Sequence, residues 1–171
     1  MAGKPPNQRR SLLSRVMSWV ISGFIVLGIL ATLIAGWSQP ETPSADPPDP
    51  EQLALGKRIY EQYCAACHGE RLQGHPNWRK RLPSGKFPAP PHDETGHTWH
   101  HPDELLFGIT KHGLVPPYAP EDYESDMPAF KDILTDEEIW AVLAYIKSTW
   151  PEDIRAFQEE ANQRAQQRQE R

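Results

Sequence analysis

Hydrophobic positions in this chain fall into one continuous block and three periodic stretches. The block is residues 16–37, VMSWVISGFIVLGILATLIAGW, inside a run of 25 residues, 16–40, that carries no charge. Its 22 residues, coiled as a helix, reach about 33 Å, enough for a hydrocarbon core of about 30 Å. No polar face interrupts it, so an amphipathic core helix is excluded. Trp19 and Trp37 stand near its ends, at the depth where amphipathic rings favour the headgroups. A cleaved signal peptide is the competing reading. It usually has a shorter apolar stretch and ends in a small-x-small site, which Leu33-Ile34-Ala35-Gly36-Trp37 matches poorly. The pattern predicts an uncleaved, single-pass transmembrane anchor over 16–37.

The three periodic stretches are shorter. Asp49-Pro50 pairs a capping carboxylate with proline at the first helical position. Leu53, Ile59, Tyr60 and Tyr63 then follow at roughly helical spacing, predicting a helix over 50–64. A second helix opens near His101-Pro102, with Asp103 and Glu104 in its first turn. It continues through Leu105, Leu106 and Ile109 and stops at Gly113. In the third, Thr135 and Glu138 form a capping box, and Ile139, Val142, Leu143 and Ile146 make an apolar stripe closed by Pro151. No run alternates as a strand. The segments 69–100 and 114–134 are rich in Pro, Gly and His, and loops this long are reasonable only if they wrap something large that serves as core.

Charge sharpens the division. Residues 1–15 carry +4, residues 38–150 carry −8 and residues 151–171 carry −1, within a total of −5. The positive-inside bias puts the basic head in the cytoplasm and everything after Trp37 outside. The chain then divides into a basic cytoplasmic N-terminus at 1–15, the anchor at 16–37, an acidic Pro-rich linker at 38–49, a folded domain at 50–150 and a polar tail at 151–171. The tail is either a solvated helix extension or disordered. Neither a polybasic nucleic-acid binder nor a disulfide scaffold fits this composition, with two cysteines in 171 residues.

Those two cysteines form Cys64-Ala65-Ala66-Cys67-His68. C-x-x-C-H is the attachment motif for c-type haem. Two thiols at this spacing on a helix end reach the two vinyl groups and form thioethers, and the adjacent histidine becomes the proximal iron ligand. A thioredoxin-like redox pair would want a preceding strand and a βαβ context. Structural zinc would want two or more further ligands at matched spacing. A disulfide across so short a loop would constrain little.

With the motif in place, the chain resembles a membrane-anchored class I (mitochondrial-type) cytochrome c with one haem, over about residues 50–150. Three stretches carry the resemblance: Leu55-Gly56-Lys57-Arg58-Ile59-Tyr60 before the haem motif, Asp126-Met127-Pro128-Ala129-Phe130, and Leu134-Thr135-Asp136-Glu137-Glu138-Ile139 followed by Ala144-Tyr145-Ile146. The resemblance implies an all-α fold, a cytochrome c-like domain wrapped around one haem and preceded by the transmembrane helix. It implies covalent haem c on Cys64 and Cys67, with His68 the proximal and Met127 the distal iron ligand. It also implies that Gly56 and Tyr60 cross the 142–145 face of the last helix. Met1 and Met17 lie in the terminus and the span, so Met127 is the available methionine; its competing role is a gap-filling core residue. Pro88, Pro90 and Pro91 resemble the loop whose backbone carbonyl orients the proximal histidine.

Six further histidines, His75, His92, His97, His100, His101 and His112, depart from the family pattern. Their candidate roles are hydrogen bonds to haem propionates and helix caps, with Trp78 and Trp99 on the haem edge; replacement of Met127 as ligand; or a second metal such as copper or zinc. The function expected is a membrane-tethered electron carrier on the periplasmic side of a bacterial inner membrane. Its partners would be a quinol-oxidising complex and a terminal oxidase or reductase, with no nucleic acid and no small-molecule substrate. The alternatives are the electron-entry subunit of a larger oxidase or reductase, a haem peroxidase, and a haem protein with an added copper site. Arg79-Lys80-Arg81 with Lys86 is a candidate docking edge, as against a solvated loop.

Overall fold

A computed structural model describes residues 49–171. The basic head, the expected anchor at 16–37 and the linker as far as residue 48 lie outside the described residues. Among the described residues no helix is long and apolar enough to cross a membrane.

Helix α1, Pro50–Ile59, begins as its sequence dictates: the Glu51 N–H donates to the Asp49 carboxylate at 3.1 Å and proline occupies the first turn. The chain does not straighten at Ile59. It widens into one π-helical turn, Tyr60–Cys64, and then tightens into a short helix α2, Ala65–His68. The expected helix over 50–64 is therefore present and carries the haem motif on one further turn. A π turn rotates the side chains that follow it relative to those before, and such turns are frequent at functional sites.

Helix α3, Asp103–His112, ends at Gly113, whose φ of +84° suits only a residue without a side chain. Helix α4, Asp136–Ser148, is capped reciprocally. The Glu138 N–H donates to the Thr135 hydroxyl at 3.2 Å, and the Thr135 N–H donates to the Glu138 carboxylate at 2.8 Å. The apolar stripe of α4 then buries Ile139, Val142, Leu143 and Ile146.

Packing is closest where α1 crosses α4. A methyl group on Gly56 would lie 1.9 Å from the carbonyl oxygen of Ala141, so only glycine lets the two backbones approach this far. Ile59 and Tyr60 of the first segment are buried against this junction, and the Tyr60 and Tyr145 rings lie 5.7 Å apart. The Tyr60 hydroxyl donates to the Gly69 carbonyl at 2.8 Å, which fastens the end of α2 to the core.

Of the two expectations for the tail, a solvated helix extension or disorder, the helix is present, but it is docked and not solvated. Helix α5, Glu152–Gln169, buries Gln158 and Ala161. What docks it is polar. Asp103, at the first turn of α3, accepts from Lys147 at 2.9 Å, Gln158 at 2.7 Å and Asn162 at 3.0 Å. Its own N–H, one of the unpaired donors of a helix N-terminus, donates to the Asn162 side chain at 2.8 Å. Gln158 is 1 % exposed and Lys147 4 % exposed, so this is a closed network and not a surface cluster. A polar sequence hides such a dock, because the apolar pattern that signals burial is missing.

Candidate haem site

The loops and helices enclose one large cavity of about 590 Å³. Cys64, Cys67, His68 and Met127, 59 or more residues apart in the case of the last, all line it. The remaining wall is mostly apolar, with Leu106, Ile109, Phe130, Leu143 and Ile146 among its members. The long loops thus wrap a hollow that the helices alone leave unfilled.

His68 is buried on the short helix that ends at Gly69. Its Nδ1–H donates to the carbonyl of Pro90 at 2.8 Å; of the three candidate prolines, this is the one that orients the ring. A carbonyl can only accept, so the proton sits on Nδ1 and the lone pair on Nε2. Burial lowers the pKa of His68, which keeps the ring neutral at neutral pH, and the Pro90 bond opposes this in part. A neutral imidazole with a fixed tautomer is what an iron ligand requires.

Behind His68 lies a second imidazole. The His92 ring stacks on it at 4.0 Å, only 20° from parallel. The His92 Nδ1 bonds to the Thr98 hydroxyl at 2.8 Å, and the His92 carbonyl accepts the Trp150 indole N–H at 2.7 Å. Burial first, then the neighbouring His68 and His97, push the pKa of His92 well down. The two stacked rings lie side by side in the cavity lining.

Cys64 is partly buried and Cys67 exposed, and the two are not joined in a disulfide. Burial, with the adjacent Cys67 second, pushes the Cys64 thiol up to about 11. It is a neutral thiol at neutral pH, unlike the low-pKa cysteine of a redox pair. Among the described residues no group of three or more His, Cys, Asp or Glu converges to hold a metal ion. The copper or zinc reading therefore lacks a ligand set there.

Of the six additional histidines, His75, His92, His97 and His101 line the cavity, whereas His100 and His112 do not. His97 is half-buried, and its buried Nδ1 has no partner within the protein. Trp78 and Trp99, expected on the haem edge, are not cavity residues. Trp78 stacks on His97 at 4.9 Å, and Trp99 packs on His100 and Phe157.

The cavity fits a flat, largely apolar group with a few polar substituents. It has apolar walls, two thiols for attachment, a neutral imidazole, a thioether, and a buried ring nitrogen that lacks a partner. Comparison with known proteins agrees. The family model described as cytochrome c matches residues 53–150, more than half of the chain. A nitrite reductase of Stutzerimonas stutzeri is 33% identical over 131 residues, which cover 71% of this chain and 21% of that protein. The chain therefore spans about one fifth of the length of that relative. On the fold, the C-x-x-C-H segment and the family match together, this chain belongs to the cytochrome c family, whose domain is an electron carrier with covalently bound haem c.

Proposed function

We propose that this protein is a membrane-tethered carrier that moves single electrons between redox partners on the periplasmic side of a bacterial inner membrane. The observation that carries the reading is that His68 and Met127 line the same apolar cavity as both cysteines. Cys64 and Cys67 hold the haem through thioethers. His68 offers Nε2 as proximal ligand, with the Pro90 carbonyl fixing its ring and raising its basicity. Met127 offers its thioether as distal ligand, a choice that favours the reduced state and raises the potential. His97 and His101, at the cavity wall, supply polar contacts to the haem carboxylates, His97 through the nitrogen that is otherwise unpartnered. Bound there, haem c would supply an iron that changes by one electron, and His68 and Met127 together would leave it no open position for a substrate.

The tether is supported by the uncharged block 16–37 and the +4 head before it. It puts the domain at 50–150 on the outer face and holds it there by the linker at 38–49. Carbonate washing of membranes tests it: the protein stays with the membrane, and release into the wash refutes the anchor. The ligand pair is tested by the visible spectrum. Ferric protein shows the weak far-red band of a Met–iron bond, and Met127→Ala abolishes it. Reduced wild-type protein that binds carbon monoxide at neutral pH refutes the closed, six-coordinate site.

A second reading rests on the relative from Stutzerimonas stutzeri. In it, this chain is the electron-entry subunit that feeds a nitrite-reducing enzyme. Purification from gently solubilised membranes distinguishes the two, since a stable partner bearing a second cofactor favours the subunit and a chain that purifies alone favours the carrier.

A further inference from the structure

The segment between His68 and Pro90 carries a structure of its own. Residues 82–86 form a tight turn: the Leu82 N–H donates to the Lys86 carbonyl at 2.8 Å, and the Gly85 N–H donates to the Leu82 carbonyl at 2.9 Å. Arg81 closes the turn by donating to the Gly85 carbonyl at 2.7 Å. Leu82 and Phe87 line the cavity from this side. The same segment then fastens to the chain that leads into Met127. Phe87 pairs with Ser125 in an isolated parallel bridge, and its N–H donates to the Glu124 carbonyl at 2.8 Å. The Phe87 ring stacks on Tyr123 at 5.1 Å, and the Arg81 guanidinium lies 4.4 Å from the Phe87 ring centre. Lys86 forms an ion pair with Asp126, the residue before Met127. Arg81 and Lys86, half of the basic group that is a candidate docking edge or a solvated loop, are thus engaged within the chain.

These contacts complete the support of Met127. On its C-terminal side, Phe130 and Lys131 donate their N–H groups to the carbonyls of Thr110 and Lys111 at the end of α3, at 3.1 and 2.9 Å. On its N-terminal side, the Met127 N–H bonds to the Ser125 hydroxyl at 3.1 Å, and Ser125 is the residue paired with Phe87. One flank hangs on a helix, the other on residues 81–88.

We propose that residues 81–88 form a strap that holds Met127 in position as a ligand and keeps foreign ligands off the iron, with Phe87 and Tyr123 as its positioning residues. The proposal rests on Met127 being the distal ligand. Opening the distal side requires the 123–127 segment to lift away, and the strap resists that motion through a stacked aromatic pair and a backbone bridge. An aromatic pair at this geometry shifts such an opening equilibrium by about tenfold, and the apparent affinity of an incoming ligand follows the open fraction.

The test uses full-length, haem-loaded ferric protein titrated with imidazole while the far-red band is followed. Phe87→Ala and Tyr123→Ala are each expected to bind imidazole about tenfold more tightly than wild type. Tyr123→Phe, which keeps the stack, is expected to match wild type. Tyr123→Ala approaches the pair from the other segment, so the test stands even where Phe87→Ala fails to accumulate. Wild-type protein with the band, together with unchanged imidazole affinity in the alanine variants, overturns the strap alone. Wild-type protein without the band, unaffected by Met127→Ala, overturns the ligand assignment and the strap with it.

Discussion

Gly56→Ala is the sharpest test of how this fold is assembled. The new methyl group would fall 1.9 Å from the Ala141 carbonyl oxygen, 2.5 Å from its carbon and 2.9 Å from the Tyr145 Cβ. Two of those atoms are α4 backbone, so no side-chain rotation relieves the overlap. To restore ordinary contact, α1 and α4 must separate by about 1.5 Å, and a gap of 0.5–1 Å already forfeits a quarter to a half of the dispersion energy across it. Overpacking of this kind costs about 3 kcal/mol. Alanine returns about 1 kcal/mol through its higher helix propensity. The net loss is about 2 kcal/mol, or roughly 10 °C in Tm for a domain of this size. Thermal unfolding of the haem-loaded protein, followed by helical circular dichroism, measures it. A Gly56→Ala protein as stable as wild type would refute the reasoning, because propensity alone would then decide the position.

Other perturbations separate the remaining parts of the fold. Lys147→Met removes one partner from a nearly closed network and leaves Asp103 short of its cation; urea unfolding is expected to show a loss of about 3 kcal/mol, and no loss means the network is solvated. Trp150→Phe keeps the buried ring but deletes the bond to the His92 carbonyl, at an expected cost of about 1 kcal/mol in the same assay. His92 has a lowered pKa in the folded protein, so the unfolded chain binds the additional proton as pH falls through about 6.5. Stability is therefore full above that value and is lost below it, by up to about 1.4 kcal/mol per pH unit for this one group. His97 and His101 also have lowered pKa values, so His92→Gln is expected to reduce, not abolish, the fall in urea midpoint between pH 7 and pH 5, and an unchanged slope would show that His92 does not contribute.

The local signals in the chain were sufficient for one end of each of α1, α3 and α4 and for its cofactor. A cap at Asp49, a capping box at Thr135 and a stop at Gly113 act over a few residues, and each stands where local chemistry puts it. C-x-x-C-H is likewise a local device, since attachment to two vinyl groups demands that spacing. Packing over long separations was legible only where the family resemblance supplied it, at the crossing of Gly56 and Tyr60 with α4. Pro90 and not its neighbours bonds His68, because the choice depends on how a 22-residue loop returns. The stacking of His92 on His68, the pairing of Phe87 with Ser125 and the contacts of Trp78 with His97 and of Trp99 with Phe157 depend in the same way on how distant segments meet. Helix α5 is the clearest instance: its dock is made of Gln158, Asn162 and Lys147 around one carboxylate, and polar residues show whether they are buried only when their partners arrive. The haem-attachment motif, the starts of α1 and α4 and the end of α3 follow from short-range geometry and could be read along the chain. Which further side chains line the cavity, and what holds the segment bearing Met127, follow instead from contacts between distant segments that no periodicity encodes.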